Sequence, residues 1–241
     1  MIYVSNTYED MSAQAARDLL NIVTKIKEPL LCTASGDTPK GMYRALINMI
    51  REKNIDVSHW NFLGLDEWAG MNGHDEGSCR YHLDRDLFGP LNIKGDKIIF
   101  FDGRADAAEE CKRIESFIAR HKHIDVAIIG LGMNGHIGMN EPGSSVNSRS
   151  RLCEIEPITQ QVGQKYFTNK QTINKGITLG IATIMEASHV FLLVNGSKKA
   201  VITRQAIEGE ISEKLPASLL RRHSSLNVYL DKEAASMLPV M

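Results

Sequence analysis

The sequence predicts a single α/β domain over residues 1–241, built on a mainly parallel sheet with helices on both faces. Three observations predict it. Apolar, strand-like runs recur along the chain. Several are continuous rather than alternating, as strands buried on both faces require. Helix-period stripes fill many of the intervals between them, the alternation that builds parallel sheets. A chain of 241 residues accommodates this as one large domain.

The elements come in order. "MIYVS" opens as a strand, and Ala16, Leu19, Leu20, Val23 and Ile26 mark the stripe of a helix after it. "PLLCTA" (29–34) reads as a second strand, followed by a stripe at Met42, Leu46, Met49 and Ile50. "WNFLGL" (60–65) and "KIIFF" (97–101) are the next strands, and Cys111, Ile114 and Ile118 mark a third helix. "DVAIIGL" (125–131), "VFLLVN" (190–195) and "SLNVYL" (225–230) complete the set. Residues 69–80 and 140–151 are rich in Gly, Asn and Ser and read as long loops, which in compact domains are usually functional.

Composition narrows the class. At 43% hydrophobic and 24% charged, the chain has material for a core and no apolar run long enough for a membrane span. Twenty-eight basic against 29 acidic side chains leave no surplus for a nucleic-acid backbone, so any bound anion is small and locally held. Cys32, Cys79, Cys111 and Cys153 form no C-x-x-C pair and favour neither a disulfide framework nor a thiolate metal site. No basic segment followed by an apolar one opens the chain, so the expected location is cytoplasmic.

In an open α/β sheet, ligands bind beyond the carboxyl ends of the strands, so the loops after the strands matter most. After "PLLCTA" comes "SGDTPKGMY". Thr38 suits a helix N-cap and Pro39 the first helical position, so the N–H groups around Gly36 to Thr38 point outward together. That is an anion site by geometry and dipole, though an ordinary capped turn reads the same way. After "WNFLGL" come the adjacent carboxylates Asp66 and Glu67, which point in different directions, so at most one enters a cleft. After "VFLLVN", a glycine turn leads into a helix with Lys198 and Lys199 at its start. Cations there oppose the helix dipole unless an anion accompanies them, although solvated surface lysines would look alike.

After "DVAIIGL" comes G-x-G-x-x-G at Gly130, Gly132 and Gly135. A dinucleotide fingerprint needs its third glycine to open a helix, with an acid about twenty residues on at the end of a second strand. Pro142 comes too soon for that helix, and Glu154 and Glu156 end no such strand. A nicotinamide cofactor is therefore excluded. The loop holds instead His136 between Gly135 and Gly138, with Asn134 and Glu141 nearby. Histidine carries a proton near neutral pH, and a neighbouring carboxylate orients it. Acid, histidine and two anion-binding helix starts together suggest proton transfers on a phosphorylated metabolite.

The ordered blocks "LDEW", "GLGMNGHIGMNEPGSS", "GITLGIATIMEA", "NGSKKA" and "LPASLLRRH" resemble the glucosamine-6-phosphate deaminase/isomerase family from near Ser35 to near His223. "LDEW" followed by "GSC", with "NGHIGMNEPG" and "PASLLRRHS", is most similar to its galactosamine-6-phosphate isomerase branch. The resemblance implies a modified Rossmann-type sheet, shared with 6-phosphogluconolactonases. It implies isomerisation of an aldohexosamine 6-phosphate with loss of ammonia. The expected substrate is galactosamine 6-phosphate, giving tagatose 6-phosphate, with glucosamine 6-phosphate, giving fructose 6-phosphate, as the alternative.

By the same resemblance, Asp66 falls on the general base that moves a proton between C2 and C1, and His136, oriented by Glu141 and Asn134, on the group that opens the sugar ring. Ser35, Gly36, Asp37, Thr38 and Lys199 fall on the substrate and phosphate site, with Lys165 where the family carries arginine. Asn134 stands where the glucosamine enzymes carry aspartate and adds no negative charge to the histidine. Cys153 replaces a basic residue of allosteric members, so activation by N-acetylglucosamine 6-phosphate is not expected. No metal or organic cofactor is implied, and the sequence leaves a homo-oligomer open. A lactonase would resemble G-x-D-G-H-T-A-S-L-F after the strand. A non-catalytic sugar-phosphate sensor would be expected to carry a DNA-binding module.

Overall fold

In the computed structural model, which describes residues 1–239, the seven predicted strands form one seven-stranded sheet whose neighbours are all parallel. The chain runs β1 (Ile2–Ser5), α1 (Tyr8–Val23), β2 (Leu30–Thr33), α2 (Asp37–Glu52), β3 (Asn61–Gly64) and β4 (Asp66–Trp68). Next come α3 (Cys79–Leu83), a π-turn (Asp84–Phe88), β5 (Ile98–Ile99), α4 (Ala107–His121), β6 (Val126–Gly130), β7 (Arg151–Glu154) and α5 (Pro157–Gly163). It closes with β8 (Lys175–Thr178), α6 (Ile181–Met185), β9 (His189–Val194), α7 (Ala200–Glu208), α8 (Pro216–Leu219) and β10 (Leu226–Asp231).

Both faces of the sheet's inner strands are buried, which is why they read as continuous apolar runs. Successive side chains point to opposite faces. Leu31, Phe62, Val126, Ile128, Phe191 and Leu193 therefore join one core with α1 and α2. Leu30, Leu63, Ala127, Ile129, Leu192 and Leu230 join a second core with Ile114 and Ile118 of α4. The strand order is β1-β10-β9-β6-β2-β3-β5. From β2 the chain moves outward through β3 to β5; from β6 it moves the other way through β9 to β10. The order reverses between β2 and β6, and a crevice opens at such a point beyond the carboxyl ends of the strands.

Three local features differ from the sequence reading. Helix α1 ends before Ile26, because the Thr24 hydroxyl donates to Leu20 O at 2.7 Å and tighter turn bonds replace the helical ones at Lys25 and Ile26. Helix α2 starts at Asp37 with Gly36 as its N-cap, not Thr38. The Thr38 hydroxyl instead donates to Asn195 Oδ1 at 2.6 Å, and Pro39 sits within the first turn, where its missing N–H costs nothing. Finally, β4, β8 and β7 form a second, antiparallel sheet that no apolar run announces, since its strands are three or four residues long. It starts one residue after β3, so it carries Asp66 and Glu67 directly off the end of the large sheet.

Among the described residues, no helix is long and apolar enough to cross a membrane, and no cluster of three or more His, Cys, Asp or Glu is placed to hold a metal ion.

Candidate active site

Four adjacent strands, β9, β6, β2 and β3, deliver the four motif-bearing segments to the same crevice. β2 leads to Ser35–Thr38, β3 to Asp66, β6 to the Gly132–Glu141 loop, and β9 to the turn before Lys199. Cross-links fix the segments to one another: Thr38 bonds Asn195, and the Lys199 ammonium donates to Leu131 O.

Asp66 and Glu67 do point in different directions. Glu67 is fully buried and accepts three backbone N–H bonds, from Trp68 at 2.8 Å, Cys79 at 2.9 Å and Arg80 at 3.0 Å. It pins the start of α3, and with it the end of the 69–80 loop, onto β4. Burial pushes its carboxyl up to about 7, against the pull of those N–H groups. Asp66 is left to face the crevice at 8% exposure. Burial pushes it up to about 6, while the neighbouring Cys79 thiol and His136 hold it lower than burial alone would. Ser35 neighbours the same Cys79 thiol, which sets the β2 loop beside Asp66.

The histidine loop folds over glycines for a steric reason. A Cβ on Gly132 would lie 2.2 to 2.4 Å from three atoms of the His136 ring, so the imidazole rests directly on the main chain there. Gly138 has φ of 56°, and its Cα faces Thr178 and the Asp66 carboxylate, with no room for a side chain. The loop is seated from below by α8, where Ala217 N–H donates to Gly135 O at 2.9 Å. That contact explains "LPASLL".

His136 sits in a directed relay. Asn134 Nδ2 donates to Glu141 Oε2 at 2.7 Å, so the amide oxygen turns to the ring and accepts from His136 Nδ1 at 2.7 Å. Reversing the amide would set its oxygen against a carboxylate, so the network assigns the proton to Nδ1 and leaves Nε2 as the free base. Burial raises the Glu141 carboxyl, but bonds to His136, Asn134 and Thr159 outweigh it and hold the group below its ordinary range. Direct contact between His136 Nδ1 and Glu141 is longer, at 3.5 Å. The neighbouring Asn140 acts elsewhere. Fully buried, it donates to Ile137 O and Leu179 O at 2.9 Å and accepts from Arg151 at 2.7 Å.

At the other end of the crevice, α2 begins with no side chain capping its first N–H groups. Lys199 is half-buried nearby, its ammonium pushed down to about 8 by burial and by the Lys165 charge. Lys165 pairs with Asp37 at 2.6 Å, and its ammonium lies 4.9 Å from the centre of the Tyr166 ring. The Tyr166 hydroxyl lies against Gly36. The sequence reading placed the loops after β2, β3, β6 and β9, with Lys165, around the crevice. It missed Glu67's anchoring bonds, Cys79, Tyr166 and Thr159. Thr159 sits on a seven-residue helix without a motif, and no sequence signal identifies it. A cavity of about 410 Å³ opens alongside, sharing Gly36, Asp37 and Lys165 with the crevice and reaching His82 and Arg85.

Known proteins resemble this chain in sequence and fold. The family model described as glucosamine-6-phosphate isomerases/6-phosphogluconolactonase matches residues 6–229. Glucosamine-6-phosphate deaminase 1 of Bacillus subtilis (strain 168) is 36% identical over 235 residues, 97% of either chain. A solved structure of a monomeric glucosamine-6-phosphate deaminase superposes with a TM-score of 0.95 at 34% identity, covering 98% of this chain and 99% of that one. A 6-phosphogluconolactonase structure from Trypanosoma brucei matches with a TM-score of 0.75 at 22% identity over 99% of this chain and 98% of its own, a likeness of fold alone. The chain belongs to the glucosamine-6-phosphate isomerase/6-phosphogluconolactonase family.

Proposed function

We propose that this chain is a hexosamine-6-phosphate deaminase/isomerase that converts glucosamine 6-phosphate and water to fructose 6-phosphate and ammonia. The observation that carries the reading is the pairing of two groups across one crevice. One is a buried carboxylate, Asp66, without a backbone partner; the other is a histidine whose Nε2 is left free by the Asn134–Glu141 relay.

Chemistry follows from those environments. Neutral His136 takes the proton of the sugar's anomeric hydroxyl through Nε2 and returns one to the ring oxygen, opening the ring. The open chain has a carbonyl at C1, which acidifies the hydrogen on C2. Asp66, still about nine-tenths ionised at pH 7, is a stronger base than an exposed carboxylate. It removes the C2 hydrogen as a proton, leaving an enolamine between C1 and C2. Return of a proton to C1 gives an iminium at C2. Water adds there, ammonia leaves with the C–N bond pair, and the C2 carbonyl of the ketose remains. The N–H groups at the start of α2, with Lys199 and Lys165, hold the phosphate through charge and dipole.

The epimer differs from the expectation drawn from "LDEW", "GSC" and "PASLLRRHS". Full-length relatives at 33–38% identity are named for glucosamine 6-phosphate, not its galacto epimer, and the reading agrees with them. The histidine loop continues as Asn140-Glu141-Pro142, unlike the lactonase pattern. The test is ammonia release from glucosamine 6-phosphate and galactosamine 6-phosphate in parallel, with 6-phosphogluconolactone hydrolysis as a control. Turnover of the gluco compound is expected. Preference for the galacto compound overturns the epimer, and lactone hydrolysis without ammonia overturns the reading.

A further inference from the structure

Three acceptors surround one nitrogen of His136. Asn134 Oδ1 is 2.7 Å from Nδ1, Thr159 Oγ1 is 3.1 Å away and Glu141 Oε2 is 3.5 Å away. The carboxylate is the group whose charge would stabilise an imidazolium, yet it is the most distant. Asn134 bridges that gap, since its amide accepts from the ring and donates to Glu141. Thr159 is placed to do the same. Its hydroxyl lies 3.1 Å from His136 Nδ1, and Thr159 is among the groups that hold the Glu141 carboxyl low. A hydroxyl can accept from Nδ1–H while donating its own hydrogen to the carboxylate, which no apolar side chain of the same shape can do.

Thr159 is also well held. It is 9% exposed on α5, and the approach to that helix is tied to the same carboxylate by Glu156 N–H at 3.3 Å from Glu141 Oε1. The short 3-10 turn directly after α5 carries Lys165, which reaches the start of α2. One short segment therefore contacts the histidine relay at one end and the phosphate-side cations at the other.

We infer that Thr159 is a positioning residue for His136, forming with Asn134 a second, parallel hydrogen-bonded bridge from the imidazole to Glu141. The two bridges together hold the proton on Nδ1 and transmit the Glu141 charge to the ring. The inference rests on the proposed function for its kinetic consequence, but its structural content is independent of which sugar reacts.

Two measurements test it on the full chain. Nitrogen-15 NMR of labelled histidine, without substrate, reads the tautomer of His136 directly. The Nδ1–H form is expected to dominate in the wild type, and Thr159→Val to weaken that preference about two- to tenfold, the worth of one hydrogen bond. Thr159→Ser, which keeps the hydroxyl, is expected to restore it. Steady-state kinetics with glucosamine 6-phosphate should show kcat falling about tenfold in Thr159→Val with KM within twofold, and recovery in Thr159→Ser. An unchanged tautomer in folded Thr159→Val overturns the inference. So does a serine variant as impaired as the valine, which would assign Thr159 a packing role through its methyl group. A shifted tautomer in a protein that releases no ammonia would sustain the bridge and overturn only the proposed function.

Discussion

Asn134 Nδ2 donates to Glu141 Oε2 at 2.7 Å, and this one bond sets the direction of the whole relay. Because the amide nitrogen is committed to the carboxylate, the amide oxygen faces His136 and accepts the Nδ1 proton. Glu141→Gln keeps the shape and removes the charge. A glutamine can also offer its own N–H to Asn134, which permits the amide to reverse and the tautomer to change. Turnover of the ring-closed substrate is expected to fall about 100-fold, with little change in KM. Steady-state kinetics check this, and a change confined to KM would count against the relay.

The pH profile depends on two displaced groups. Asp66 must be ionised to act as base, and its carboxyl is raised to about 6 by burial. Lys199 must carry its charge to hold phosphate, and its ammonium is lowered to about 8 by burial and by Lys165. kcat/KM for the free enzyme should rise through about pH 6 and fall through about pH 8. Lys199→Arg, charged at every accessible pH, should abolish the alkaline fall while leaving the acid limb in place.

The Asp37–Lys165 pair predicts an effect in the opposite direction from most site mutations. Asp37 places a negative charge at the start of α2, where a phosphate must come, and occupies Lys165 at 2.6 Å. Asp37→Asn removes the competitor and keeps the backbone N–H. KM for glucosamine 6-phosphate is expected to fall severalfold at low salt, and the gain to shrink as ionic strength rises. Lys165→Ala should raise KM.

Stability should also depend on Asp66. Its folded-state carboxyl lies near 6, against an unfolded value of 3.8. The folded chain therefore holds the proton more tightly, and its advantage is present below pH 3.8 and lost as pH rises through about 6. Asp66→Asn removes that loss. Above pH 7 the variant should be more stable than wild type by about 3 kcal/mol, while losing turnover. Urea unfolding of both proteins at pH 5 and pH 8 checks it. Equal stability at pH 8 would show that burial of Asp66 carries no such cost.

Much of the fold was legible before folding. The inner strands of the large sheet are apolar runs because both of their faces are buried, whereas the edge strand β1 exposes Ile2 and Val4, and the segments after four of the strands form the crevice. The short antiparallel sheet was not legible, because three-residue strands such as Asp66–Trp68 carry no period. Thr38 invites an N-cap reading by its type, but its hydroxyl is drawn to Asn195, 157 residues away, and no local pattern records that. Glu67 and Asp66 look alike in sequence. Only the three N–H groups of Trp68, Cys79 and Arg80 distinguish the anchor from the group left facing the crevice. Thr159 and Tyr166 likewise gain their partners through tertiary contact alone.

The decisive step of the proposed reaction is removal of the C2 hydrogen of glucosamine 6-phosphate by Asp66. Proton NMR in deuterium oxide tracks that hydrogen directly, in wild type and in folded Asp66→Asn at saturating substrate. Loss of the C2 signal with ammonia release is expected in the wild type, and a rate at least about 1000-fold slower in the variant. Loss of the C2 hydrogen at the wild-type rate in Asp66→Asn would contradict that role for Asp66.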